Sequence, residues 1–129
     1  MLPNIQLRRL DMRDMYKLQS IVKQYIAEPA NLDWPFDREA ATRFITEYNT
    51  WGIWLNGQVL AGAIEVKPDL ETAYFVSRQF QNKGIATEAV KQMMQMYSDR
   101  QLWCVVNPKN IASMRVAQKA MMRMQFVQL

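Results

Sequence analysis

Histidine is absent from this chain, and cysteine occurs once, at Cys104. Without histidine, Cys-His and Ser-His-Asp nucleophile systems are excluded, as is any histidine-built metal site, so no metal is expected. One cysteine leaves no internal disulfide and suits a reducing compartment. Glycine is scarce, at four residues. Neither the spaced glycines of a dinucleotide fingerprint nor the G-K-[ST] end of a nucleotide-hydrolase loop is present. No apolar run approaches the ~20 residues of a membrane span, and Met1 to Arg13 lacks the apolar core of a signal peptide. A cytoplasmic location without a membrane partner is the expectation.

Half of the 129 residues are hydrophobic and 22% are charged, the balance of an ordinary soluble globular chain with one core and one domain over residues 1–129. Lys and Arg outnumber Asp and Glu by 16 to 12, giving +4, which suits an anionic ligand. The ten methionines read as adaptable core filling.

Ile5 to Arg9 alternates like a short strand, and Asp11 is placed to cap a helix running to about Ala27. Its apolar face comprises Met12, Met15, Tyr16, Leu18, Ile21, Val22 and Tyr25. After an irregular connection from Glu28 to Pro35, Asp37 caps a second helix to about Tyr48, with Ala40, Ala41, Phe44, Ile45 and Tyr48 as its buried stripe. Trp51 to Leu55 and Gln58 to Lys67 are β-rich runs joined by Asn56-Gly57, a dipeptide suited to a type I′ hairpin. A third strand, Glu71 to Phe80, follows the Pro68-Asp69 turn. Then come an amphipathic helix from Thr87 to Ser98, an apolar strand from Gln101 to Val106, a helix from Asn110 to Met122 and a short strand from Met124. A helix between the third meander strand and Gln101 to Val106 makes that pair parallel within a mostly antiparallel sheet. The fold class is therefore α/β (α+β), a mixed sheet flanked by helices.

In Gln81-Asn82-Lys83-Gly84-Ile85-Ala86-Thr87 an apolar strand passes through a polar turn directly into a helix. Such a turn aims backbone N–H groups and the positive end of the helix dipole at one point, where an anion fits. Gly84 and Ala86 let a phosphate approach the backbone, and Gly84 tolerates a positive φ. Lys83 or Arg78 can add a cation and the Thr87 hydroxyl a donor.

Gln81-Asn82-Lys83-Gly84-Ile85-Ala86 resembles the Q/R-x-x-G-x-G/A signature of the GNAT superfamily of N-acetyltransferases. Tyr74-Phe75-Val76 before it and Thr87-Glu88-Ala89 after it resemble the branch acting on protein N-termini, often ribosomal ones. The stretch from Asn107-Pro108 through Asn110 and Ser113 to Lys119 resembles that branch's second cofactor segment, and Leu7-Arg8 and the Asn56 to Gly62 hairpin fall where the family has its first strand and central hairpin. The resemblance implies a GNAT-like acyl-CoA N-acyltransferase fold that binds acetyl-CoA, with its pyrophosphate on the backbone of Gln81 to Ala86. The pantetheine arm would lie along Phe75, Val76 and Ser77 where the two parallel strands diverge, and Asn107, Asn110 and Ser113 would meet it from the following helix.

Transfer to an amine needs a neutral amine, a polarised thioester carbonyl and a proton for the departing thiolate. The N–H of Val76 or Phe75 is the candidate for polarisation, and Glu71 and Glu65, on meander strands, are candidates for the base. The family's tyrosine acid aligns with Ala117, which leaves Ser113, Tyr74 or water for that role. Cys104, mid-strand beside Trp103 and Val105, reads as an inert buried thiol. Two more departures stand out: Met121-Met122 occupies the place of the family's Gly-Phe, and the sequence stops where relatives continue into another strand. With that last strand missing, the edge of Gln101 to Val106 would be open, and a homodimer through this edge is the expectation.

The acceptor is read as a primary amine, a protein N-terminus ahead of a small molecule. The +4 charge disfavours polycations. A non-enzymatic alternative is an acyl-CoA-binding interaction module. Arg8, Arg9, Arg13, Lys17 and Lys23 read as a solvated face rather than an RNA surface. Trp34 and Phe36 are candidates for the acceptor wall.

Overall fold

The Asn56-Gly57 signal anchors the sheet. In the computed structural model, which describes residues 2–24, 32 and 35–127, both residues take positive φ, 52° and 70°, and Gln58 N–H donates to the Leu55 carbonyl at 3.0 Å. This turn joins β2 (Thr50–Leu55) to β3 (Val59–Val66), with β1 (Ile5–Arg9) on the far side of β2 and β4 (Thr72–Val76) on the far side of β3. All three pairings are antiparallel. Gly62 on β3 lies so close to β4 that an added Cβ would sit 2.1 Å from the Phe75 carbonyl oxygen, so no side chain fits there.

Helices cover both faces. On one side α1 (Met15–Val22) and α2 (Arg38–Thr46) bury Leu18, Ile21, Ala41, Phe44 and Ile45 against Trp54, Leu60 and Ala63. On the other, α3 (Ile85–Met96) and α4 (Ile111–Ala120) bury Ile85, Ala89, Val90, Met93 and Ala117 against Ile53, Ile64 and Val76. The last two strands, β5 (Trp103–Val106) and β6 (Arg123–Phe126), pair in parallel along their whole length. β5 meets β4 through one parallel bridge, Glu71 to Trp103. The mixed, mostly antiparallel sheet flanked by helices is thus as expected.

Several boundaries differ. Asp11 caps a single 3₁₀ turn, Met12–Asp14, through a reciprocal box with Asp14, and α1 begins only at Met15. Met12 and Tyr16 are 45% and 73% exposed, because α1 buries the stripe of Met15, Leu18, Ile21 and Val22, and Tyr16 lies about 100° from it on the wheel. The expected helix end near Ala27, with Tyr25 and Trp34, lies outside the described residues. Tyr48 lies beyond the end of α2 and is 37% exposed. β4 stops at Val76 rather than Phe80: Ser77 N–H still donates to the Ala61 carbonyl at 2.7 Å, and Arg78–Phe80 then form a 3₁₀ turn that side chains brace. Gln24 Oε1 accepts from Ser77 Oγ and Arg78 N–H at 2.8 and 3.2 Å, and Gln81 Nε2 donates to the Val76 carbonyl at 3.1 Å.

The edge of β5 is not open, because α4 acts as a crossover that returns the chain as β6 beside it. The reversal is made by Met121, at φ 62° and 86% exposed, whose successor Met122 donates to the Ala117 carbonyl at 2.9 Å. This is the left-handed helix end that favours glycine, which explains what a glycine does at this place in the resembling proteins. Left-handed backbone costs a side-chain-bearing residue about 1–2 kcal/mol, offset in part by the greater chain entropy of glycine. Met121→Gly should therefore raise the thermal midpoint by about 2–4 °C in a calorimetric melt; an unchanged or lowered midpoint would contradict the strain.

Candidate functional site

Three side-chain contacts set the loop between β4 and α3. Gln24, 53 residues away in sequence, holds Ser77 and Arg78, and the Gln81 amide ties back to Val76. Asn82 and Gly84 then turn the chain with φ of 61° and 80°. Gly84 is the N-cap of α3, and no side chain caps that helix. By contrast, Asp37 caps α2 by accepting from Ala40 N–H, and Asn110 caps α4 by accepting from Ser113 N–H. The first intrahelical bond of α3, Glu88 N–H to the Gly84 carbonyl, is 3.1 Å long, so the amides of Ile85, Ala86 and Thr87 precede it, at the positive end of the helix. Among the described residues a Cβ at Gly84 would meet only Leu2, at ordinary van der Waals distance. Conformation and ligand access, rather than packing, ask for glycine there.

The loop opens on a cavity of about 700 Å³ where β4 and β5 part. Phe75, Val76, Gln81, Asn82, Gly84, Ile85, Ala86 and Thr87 line it from β4 and the loop. Asn107, Asn110 and Ser113 line it from the start of α4, and Glu65 lines it from β3. Three expected residues are absent from this lining. Ser77 is 1% exposed and donates to Gln24. Lys83 borders a separate hollow of about 410 Å³ together with Leu2, Pro3 and Val59. Glu71 sits at the closed end of the split, bridged to Trp103, with its carboxylate 3.4 Å from Lys67 Nζ.

Cations that sequence reading did not assign to the site come from α4. Arg115 and Lys119, one turn apart, face the cavity together with Arg78. Phe44 and Ala73 also line it; their i,i+4 and alternating patterns signal burial, and nothing in the sequence tells a cavity wall from a core. Ala117 is fully buried in the α3 and α4 core.

Tyr74 spans the split. Its hydroxyl donates to the Ser113 carbonyl at 2.9 Å and accepts from Ser113 Oγ at 3.3 Å. Burial pushes the phenol up to about 12, the Ser113 hydrogen bond pulling it partly back and the Cys104 thiol adding to the rise. Cys104 is buried and its thiol is pushed up by that burial and by the charge of Glu71, so it has no thiolate character to offer. Among the described residues no cluster of His, Cys, Asp and Glu is placed to hold a metal, and no helix is long and apolar enough to cross a membrane.

The sequence profile of the acetyltransferase (GNAT) domain matches residues 4–123. The chain belongs to the GNAT acetyltransferase family. Among solved structures it is similar to a spermidine N-acetyltransferase SpeG chimera from Vibrio cholerae and hSSAT, at 15% identity and a TM-score of 0.69, over 90% of this chain and 78% of that one. That likeness establishes the GNAT fold. No curated protein matches the chain in sequence. The family uses acetyl-CoA as acyl donor, and the uncapped start of α3 with its three nearby cations fits a diphosphate.

Gly84→Glu brings a carboxylate and a disfavoured φ into this turn at an exposed position. It should weaken coenzyme A binding by calorimetry at least about a hundredfold, near 3 kcal/mol, with the circular dichroism spectrum intact; retained affinity would mean the anion sits elsewhere. For Tyr74 the fold favours the protonated phenol. That contribution is complete below pH 10 and is lost as pH rises through about 12. Thermal melts across this window should fall less steeply for Tyr74→Phe than for the unaltered chain, and identical slopes would contradict the buried position.

Proposed function

We propose that this protein transfers an acetyl group from acetyl-CoA to a primary amine by direct attack of the amine on the thioester. The observation that carries the reading is the uncapped, Gly84-led start of α3 opening into the split between β4 and β5. In this reading the amides of residues 82–87 clasp the diphosphate, with Arg78, Arg115 and Lys119 balancing its charge. The main chain of Phe75 to Ser77 runs beside the pantetheine arm, and Asn107, Asn110 and Ser113 face it from the other wall. Bound acetyl-CoA supplies an acyl carbon activated by its thiol leaving group.

Glu65 takes the base role in preference to Glu71. Its carboxylate is on a residue only 8% exposed and lines the cavity, whereas Glu71 lies at the joint of the strands beside Lys67. Glu65 receives the proton of the attacking amine, directly or through water. The N–H of Val76 or Phe75 polarises the carbonyl. The Tyr74 hydroxyl is spent on the Ser113 carbonyl at 2.9 Å, so the thiolate takes its proton from Ser113 Oγ or from water, and Tyr74 holds Ser113 in place. The acceptor amine is a protein N-terminus ahead of a small molecule, and the compartment is the cytoplasm.

The self-pairing edge moves to β6, which has no strand on its outer side among the described residues. A homodimer through that edge is read by sedimentation at micromolar concentration; a clean monomer contradicts it. The buried Ala117, which stands where the family's tyrosine acid aligns, favours one second reading, an acyl-CoA-binding interaction module of the same fold that turns over little.

Thiol release over a panel of amines separates the two. Glu65→Gln should lower kcat by about 10²–10⁴-fold with the calorimetric affinity for coenzyme A unchanged. Full activity in that variant removes Glu65 from the base role, and binding without release on every amine favours the module.

A further inference from the structure

The cavity continues through the split onto the α1 and α2 face of the sheet, and its character changes on the way. Strand alternation places Glu65 on the same face of β3 as Ala63, and the register sets Ala73 opposite Glu65 and Phe75 opposite Ala63. Phe44 of α2 closes over them and lines the cavity with Ala73, Phe75 and Leu32. The Phe44 and Phe75 rings lie 6.2 Å apart at 47°, and Phe36 braces Phe44 from behind at 5.9 Å and 79°. Phe44 is only 4% exposed. This end is therefore a rigid aromatic wall beside one carboxylate, and the cations Arg78, Arg115 and Lys119 border the same cavity.

We infer that the acceptor is a primary monoamine carrying a compact apolar group next to its amine-bearing carbon, with the amine at Glu65 and the apolar group against Phe44 and Phe75. The inference rests on the reading of this cavity as the transfer site. Glu65 balances one ammonium. A polyamine would bring further ammonium groups into the same buried end, and among the described residues no second carboxylate lines the cavity to receive them. Desolvating an unpaired ammonium is far more unfavourable than burying a hydrocarbon of the same size. An aralkylamine and a peptide N-terminus with an apolar first side chain share the required chemistry. Their amines differ in basicity, near 8 for the α-amino group and about 10 for an alkylamine.

The test is thiol release at saturating acetyl-CoA with phenethylamine, ethanolamine, spermidine, and two short peptides beginning with Phe or with Ser. Phenethylamine and the Phe-led peptide should exceed ethanolamine, spermidine and the Ser-led peptide by about tenfold or more in kcat/KM. Phe44→Leu should shrink the ratio of phenethylamine to ethanolamine several-fold while coenzyme A affinity by calorimetry stays level, which guards against misfolding. The pH profile distinguishes the sources, levelling off near 8 for a peptide and continuing to rise towards 10 for an alkylamine. Spermidine ahead of phenethylamine, or equal rates for phenethylamine and ethanolamine, overturns the inference. If coenzyme A binds and no amine turns over, the transferase reading has failed on its own. Ligand-observed NMR on the coenzyme A-loaded protein then decides the acceptor class: contact with phenethylamine and none with spermidine upholds it, and the reverse overturns it.

Discussion

A single parallel bridge, Glu71 to Trp103, joins β4 and β5, and beyond it the two strands part. The separation is maintained from both walls. On the α1 side Gln24 holds the end of β4 through Ser77 and Arg78, and on the α4 side Tyr74 reaches across to Ser113. β6 takes up the other edge of β5 over its full length, so β5 needs no second contact with β4 to be satisfied. The cavity is thus a consequence of sheet pairing, and its floor is main chain that an amide-bearing ligand can address.

The start of α3 gives that cavity its polarity. Helices α2 and α4 spend a side chain, Asp37 and Asn110, on their first turn. α3 begins instead with a left-handed glycine and no capping side chain, which leaves its dipole available to an external anion. With the Arg115 and Lys119 pair on the facing helix, this end of the split is the proposed seat of the phosphate charge. At the other, Glu65 and the phenylalanine wall are the proposed seat of the amine. In the proposed mechanism a chain without histidine runs amine acylation with a carboxylate for the proton transfer and a preorganised backbone for the carbonyl.

What was legible in the sequence is what local chemistry decides. Asn56-Gly57 makes its turn, Asp37 and Asn110 make their caps, and Gly84 opens its helix, each within four residues of its own signal. The fold class followed from the order of these elements. The misplacements share a different cause. β4 gives way after Val76 to a 3₁₀ turn that Gln24 and Gln81 brace, and one of these partners is more than fifty residues distant. Glu65 and Glu71 look alike on neighbouring strands, and only the register places one in the cavity and the other at the joint. Lys83 stands inside the loop motif yet faces the hollow beside Leu2, while the cavity's cations come from Arg78 and α4.

The central claim is that main-chain amides at the head of α3 hold the diphosphate of coenzyme A. Its most direct test is a titration of isotopically labelled protein with coenzyme A, followed by backbone amide NMR. The account predicts that the largest shifts fall on the amides of Asn82 to Thr87, with a second set along Tyr74 to Ser77. Saturation with those amides unmoved, and the shifts gathered elsewhere on the surface, would contradict it.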